Sequence, residues 1–477
     1  MTRSRVSGFV PFALASLALV VPCFWQSRIQ AGDLASHSYN AWLVQLIDAG
    51  RAPGLSVAPQ LTNVLFDWIL SALARGLGSG PAERVAAAFV VLVFAWGAFA
   101  FVSAVAGRRA WDALPCLAAL AYGWVFHIGF FNFQLALGAG LWALALGWDR
   151  PLARGLAAVP ILALAWLAHP LPVLWAGGLI GFSWLWRALP SPRWRRVAVL
   201  AALAAIWLAS ALVSRAYPTR WDPGQWLLAS GAFSLRVWDA KYDLLAAVLL
   251  AVWVALLGLR VARERARLLD RLELALFALS AAAVALVPGS ILLPGYGHAL
   301  VYVAERMSLC AALVLCALTL PERPRAAAIA YSALALVFFA FLYRDERILN
   351  GFEDRLDALV AELPPEQRVI LGVRDPELRV NALAHMIDRA CIGRCFSYAN
   401  YEPSTLQFRV RVDGPNGIVA STYADSFALQ TGRYVVKARD VPLHQVVSRP
   451  GGELALRSLL AGEPIAMTEL RVLPGLF

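Results

Sequence analysis

The chain has 477 residues, 60% hydrophobic and 15% charged, with 18 tryptophans and a mean hydropathy of +0.63; this excludes an ordinary soluble globular domain and points to an integral membrane protein. Its formal charge of +11 is almost wholly arginine, because Lys241 and Lys437 are the only lysines. Those arginines are scattered through short loops and form no basic stripe, so no nucleic acid partner is expected.

The first apolar run, 6–25, follows Arg3 and Arg5 and lacks a clear A-x-A cleavage site. It reads as an uncleaved first helix with a cytoplasmic N-terminus rather than a signal peptide. Immediately after it comes "GDLASHSYNAWLVQLIDAGRAPGL", in which Asp33 and His37 stand one helical turn apart ahead of a helix that stops at Gly50 before Pro53. A carboxylate at the end of a span suits a general base, and a short polar residue there also suits an N-cap; both readings stay open. The next segment, "LTNVLFDWILSALARGLG" at 61–78, carries Asp67 and Arg75, charges that would each cost a few kcal/mol at the bilayer centre. It is expected to lie in the interface.

Further apolar runs follow at 82–106, 111–127, 132–148, 152–169, 171–187, 196–214, 243–260, 272–293, 307–321 and 325–343. With the first run they make about eleven spans. Keeping 61–78 out of the membrane puts Arg108/Arg109, Arg150/Arg154, Arg187/Arg193/Arg195/Arg196, Arg260 to Arg271 and Arg323/Arg325 on one side, that of the N-terminus. This satisfies the positive-inside rule at every turn. Segments 26–81, 215–242 and 294–306 and everything after 344 then face outward.

The composition turns polar after 344, with "VILGVRD" and "LQFRVRV" reading as strands and "LRVNALAHMIDRA" and "GELALRSLLAG" as helices. The expected fold class is therefore an α-helical polytopic membrane protein of about eleven transmembrane helices (1–343) with a C-terminal extracytoplasmic soluble α/β or α+β domain (344–477). Cys391 and Cys395 are spaced to close a small disulfide in an oxidising compartment, and have no second pair nearby to make a zinc site.

The histidines of the membrane half, His37, His127, His169 and His298, all fall at outer ends of spans or in outer loops, a place imidazoles occupy readily at interfaces. Asn63, Asp67, Asn132 and Gln134 join them. Arg306 either pairs with the neighbouring Glu305 or clamps a phosphate with its planar guanidinium. The chain carries no Walker A loop, G-x-S-x-G elbow, H-E-x-x-H or C-x-x-C pair, which disfavours an ATP-driven pump or a zinc protease.

In "GDLASHSYNAWLVQLIDAGRAPGL" followed by "PQLTNVLFDWILSALARGLG", and in its overall topology, the chain resembles the polytopic glycosyltransferases of the GT-C superfamily. The resemblance covers the arrangement of the first 150 residues or so and implies transfer of a sugar from a polyprenyl-phosphate carrier to an envelope lipid, glycan or protein acceptor at the outer face of the bacterial inner membrane. It implies Asp33 as the catalytic base or acceptor-orienting residue. Of the other outer polar groups, Arg306 and His298 are expected to balance the carrier phosphate and His37 or His169 to position the sugar, with Asn132 among the substrate-binding residues. Many relatives carry Asp-Glu or Asp-Asp where this chain has Asp33-Leu34. That departure counts against a metal-dependent version, so no cofactor is expected and a divalent metal is left open. The rival reading is a non-catalytic translocator or scaffold for envelope glycans or lipids.

Overall fold

The computed structural model describes residues 3–148, 156–320 and 324–474. The helices are α1 (Arg3–Val20), α2 (Leu34–Asp48), α3 (Leu65–Leu77), α4 (Ser79–Ala106), α5 (Leu114–Ala121), α6 (Trp124–Ile128) and α7 (Phe131–Gly147). After these come α8 (Ala158–Ala168), α9 (Pro170–Ala188), α10 (Pro192–Ala216), α11 (Lys241–Glu264), α12 (Leu272–Leu286), α13 (Val303–Leu318) and α14 (Pro324–Ala361). The start of the expected run 152–169, the residue 321, and Arg150, Arg154 and Arg323 lie outside the described residues.

Among the described residues, four helices are long and apolar enough to cross a membrane: Ser79–Ala106, Pro192–Ala216, Lys241–Glu264 and Arg325–Ala361. Most of the other expected runs are shorter apolar helices, interrupted where the chemistry demands it. The run 111–127 breaks at Tyr122–Gly123. Helices α8 and α9 part at His169–Pro170, where proline lacks the N–H that a continuing helix would need. Helix length and composition thus give four candidate spans among the described residues, fewer than the expected eleven.

Apolar patterning explains the layering. Helix α13 is apolar almost all round and is buried along its length except at Glu305, as a central helix should be. Helix α10 buries only Ser210 and lies at the periphery. The α4–α7 contact is made by glycines: a Cβ on Gly97 would come within 2.3 Å of the Gly138 carbonyl oxygen, so the two backbones touch, the usual way for membrane helices to pack. Helix α3 is amphipathic, burying Phe66, Leu70, Ser71 and Ala74 on one face.

The tail is a mixed sheet with small helices. Strand Arg368–Leu371 pairs in parallel with Phe396–Ser397 on one side and Leu443–Ser448 on the other, and Leu454–Leu459 runs antiparallel to Leu443–Ser448. Two expectations are corrected here. "GELALRSLLAG" is a strand, because the turn through Gly451 and Gly452, both at positive φ, brings it beside Leu443–Ser448, and cross-strand pairing outweighs its helix-forming residues. "LRVNALAHMIDRA" is helical only from Met386, as α15 (Met386–Cys391). Two further short helices are α16 (Glu402–Thr405) and α17 (Tyr423–Thr431). Cys391 and Cys395 are joined as a disulfide at the end of α15.

The tail is tied to the membrane half. Helix α14 continues through residue 343 without a break. Strand Leu55–Val57 of the first loop pairs antiparallel with Val410–Val412 of the tail. Arg389 of the tail lies 3.1 Å from Glu83 of α4 and 3.0 Å from Glu353 of α14, all three buried or nearly so. Gln30 of the first loop donates to the same Glu353 at 2.7 Å.

Candidate functional site

The first loop enters the site as a turn at Gly32–Asp33 clamped to the α6 end. The Gly32 N–H donates to the His127 carbonyl at 2.7 Å and the Asp33 N–H to the Ile128 carbonyl at 3.0 Å. Gly129 makes this approach possible: its φ is +97°, and a Cβ there would lie 2.6 Å from the Asp33 nitrogen, a position only glycine fills. His127 supports the same segment from beneath, its Nδ1 3.0 Å from the Gln30 carbonyl.

Asp33 stands at the N-cap position of α2, yet its side chain makes no capping hydrogen bond. Instead it lines a cavity of about 430 Å³ together with His37, Asn132, His169, His298 and Arg306. The six residues given catalytic or substrate-binding roles from the sequence therefore border one space, although they come from the first loop, α7, the α8–α9 junction, the 294–302 loop and α13; of the other polar groups named there, Asn63 also lines it and His127, Asp67 and Gln134 do not.

The six fall into two groups. On the first-loop side, His37 Nδ1 donates to Asp67 Oδ1 at 2.7 Å and Asn132 Nδ2 donates to Asp67 Oδ2 at 2.9 Å. Asn132 Oδ1 in turn accepts the Phe66 N–H at 2.8 Å, pinning the start of α3. Burial disfavours the charged imidazole, but the Asp67 carboxylate against it prevails and lifts His37 from 6.5 to about 9. Asp67 is correspondingly held below its ordinary value despite its burial. His37 is thus a cation with its partner in place.

The opposite wall is different. Arg306 is buried, its guanidinium carbon 3.7 Å from the centre of the Phe130 ring, and among the described residues it has no ion pair with Glu305 or any other carboxylate. Its Nε has no hydrogen-bond partner there either. A cation–π contact returns about 2 kcal/mol, less than the several kcal/mol that desolvating an ion costs. Beside it, His169 caps α9: its Nδ1 accepts the Leu171 N–H at 3.2 Å. The ring proton therefore sits on Nε2, which is 3.3 Å from Arg306 Nη1. Two N–H donors face each other with no acceptor between them, the arrangement that an anionic oxygen would satisfy.

His298 lies between these walls and the tail, its ring 5.5 Å from Tyr423 and 6.0 Å from Tyr401, with burial lowering its basicity. Leu174 of α9 and Tyr296 of the 294–302 loop also line the cavity while being 63% and 46% exposed, so the cavity reaches the surface beside these two apolar side chains.

The tail contributes groups that sequence reasoning missed. His385, Tyr401 and Glu402 line the cavity. His385 Nδ1 donates to Asp388 Oδ2 at 2.7 Å and its Nε2 is 3.7 Å from Asp33 Oδ1. Burial opposes its charge, and Asp388, Asp33 and Glu402 together overcome this and raise it to about 9. Glu402 accepts the Ser36 hydroxyl at 2.9 Å, and burial lifts it to about 7 in spite of the nearby His37. The motif "HMID", with His and Asp three apart, was a readable signal for the His385–Asp388 pair; its meeting with Asp33 was not. Among the described residues no three His, Cys, Asp or Glu side chains gather as a metal site.

No protein-family model, curated protein or solved structure matches this chain. Its chemistry rests on the groups themselves.

Proposed function

We propose that the chain is a membrane glycosyltransferase of the GT-C type, with about eleven spans and its tail outside, moving a sugar from polyprenyl phosphate to an envelope lipid, glycan or protein acceptor at the outer face of the bacterial inner membrane. The observation that carries the reading is the polarity of one cavity: among the described residues, a carboxylate free of hydrogen bonds at one wall, and a buried arginine that makes no ion pair at the other. Asp33 takes the acceptor hydroxyl proton as the acceptor oxygen bonds to the anomeric carbon. The bond from that carbon to the carrier phosphate breaks, and the charge gathering on the phosphate is met by Arg306 and the His169 Nε2–H. His37 and Asn132, locked through Asp67, position the sugar, and the apolar opening at Leu174 and Tyr296 holds the first part of the lipid chain. The Cys391–Cys395 disulfide supports an oxidising compartment for the tail, as the arginine-rich loops do from the other side.

The test is mass spectrometry of envelope lipids and glycans from a deletion strain complemented with wild type or with Asp33→Asn at matched expression. Loss of a glycosylated product with accumulation of its precursor in both the deletion and the Asp33→Asn strain is the expected result. Full restoration by Asp33→Asn overturns it and favours a translocator or scaffold.

A further inference from the structure

The carboxylate of Asp33 accepts no hydrogen bond among the described residues, and it is a quarter exposed to the cavity. Its backbone is held by α6, which leaves the direction of its side chain to whatever charge stands nearby. That charge comes from the other end of the chain. His385 is buried just ahead of α15, and its Nδ1–H is committed to Asp388, so its Nε2 is left facing Asp33.

Asp388 is itself anchored. It is buried, and it accepts the Ser397 hydroxyl on Oδ1 and the Asn400 amide at 3.5 Å on Oδ2, beside His385. Held by these donors, Asp388 fixes both the tilt of the His385 ring and the nitrogen that faces outward. The groups facing the ring are Asp388 on its own helix, Asp33 from the first loop, and Tyr401 and Glu402 from the α16 region, with the Tyr401 ring 5.6 Å away. The neighbours are carboxylates and a phenol, so the ring carries its proton in the docked state.

We propose that the tail completes the site: His385, oriented by Asp388, is a positioning residue that pairs with the Asp33 carboxylate and turns it into the cavity. The proposal rests on the reading of Asp33 as the group that activates the acceptor. When Asp33 takes the acceptor proton, His385 loses one anionic neighbour and keeps Asp388, so no further proton has to move and the negative charge appears only on the departing phosphate. A tail that undocks would take His385 away and leave Asp33 without the nearest of its cationic neighbours.

The experiment uses the full-length protein in membranes and a carbodiimide, dicyclohexylcarbodiimide, which couples to protonated carboxyls; peptide mass spectrometry then quantifies labelling at Asp33. Removing a cation this close favours the protonated acid, so His385→Gln is expected to raise Asp33 labelling at pH 6 by about tenfold. Asp388→Asn should raise it by less, and His385→Lys, which restores the charge, should return it toward the wild-type level. Retention of the Cys391–Cys395 disulfide, read by thiol alkylation, identifies variants whose tail has folded. Unchanged labelling in a disulfide-intact His385→Gln protein overturns the proposal, as does a lysine variant that labels like the glutamine one. This readout needs no turnover. Labelling that responds to His385 in a strain where Asp33→Asn restores every lipid would retain the contact and discard the transferase reading.

Discussion

The two walls of the cavity handle charge in opposite ways. At the first-loop wall each cation has its anion: His37 with Asp67, His385 with Asp388 and Asp33. At the α13 wall Arg306 is equally buried and has only an aromatic face and another donor beside it. The buried cations Arg389, between Glu83 and Glu353, and Lys241, between Asp239 and Asp345, are paired, whereas Arg306 makes no ion pair among the described residues, and a ligand would complete it. The unpaired end is the place to look for an anion, and the paired end for proton chemistry.

Substitutions at the two ends should therefore separate function from stability. The largest effect is expected for Asp33→Asn, which should lower product formation by about 10²- to 10⁴-fold, the range of a lost general base, with the melting temperature little changed, since the side chain forms no cap bond. Lipid mass spectrometry and a thermal-shift assay on the purified protein check the two halves of that statement.

Arg389→Met and Arg306→Met break the comparison directly. Removing Arg389 strands the buried Glu83 and leaves Glu353 only the longer ion pair with Arg28, and should cost about 3–5 kcal/mol, seen as poor yield and a much lower melting temperature. Removing Arg306 strands nothing, so its apo protein should be as stable as wild type or more so, while product is lost. Equal destabilisation by the two would mean that Arg306 already has a counter-charge.

A third expectation concerns pH. His37 and His385 both have folded values raised from 6.5 to about 9, so the stability they lend is fully present below about 6.5 and is lost as pH rises through about 9. Thermal stability should fall across that window, and His37→Gln should flatten the fall. A flat profile in the wild type would show that these imidazoles are not charged in the docked state. The smallest effect belongs to Arg75→Ala, since the Arg75–Asp48 bridge is more than half exposed on both sides; about 0.5 kcal/mol or less is expected, and a larger loss would show that α3 depends on it.

The legible part of the site was the part with local chemistry. Asp33 followed by an amphipathic helix, His169 before Pro170 and Arg306 at the head of an apolar helix each stand out because a polar residue at the end of an apolar run needs a reason. The Glu305–Arg306 pairing was a fair alternative by adjacency. It is not made, because successive residues on a helix point in different directions, and Glu305 lines a separate cavity with Arg236 and Arg379. In the tail, "GELALRSLLAG" misled because leucine, alanine and arginine favour helices when nothing else decides, and here a neighbouring strand did decide.

Composition and arginine spacing by themselves pointed to a helical body compatible with a membrane and a polar tail, because hydrophobic burial and the cost of charge in lipid are sums over local sequence. Polar residues near the ends of apolar runs pointed to six of the residues that line the cavity. Only the tertiary structure decided that α14 carries the tail back onto the first loop, that Val410–Val412 pairs with Leu55–Val57, and that His385 meets Asp33. Those contacts join opposite ends of the chain through backbone pairing and buried charge, whose partners no local pattern specifies.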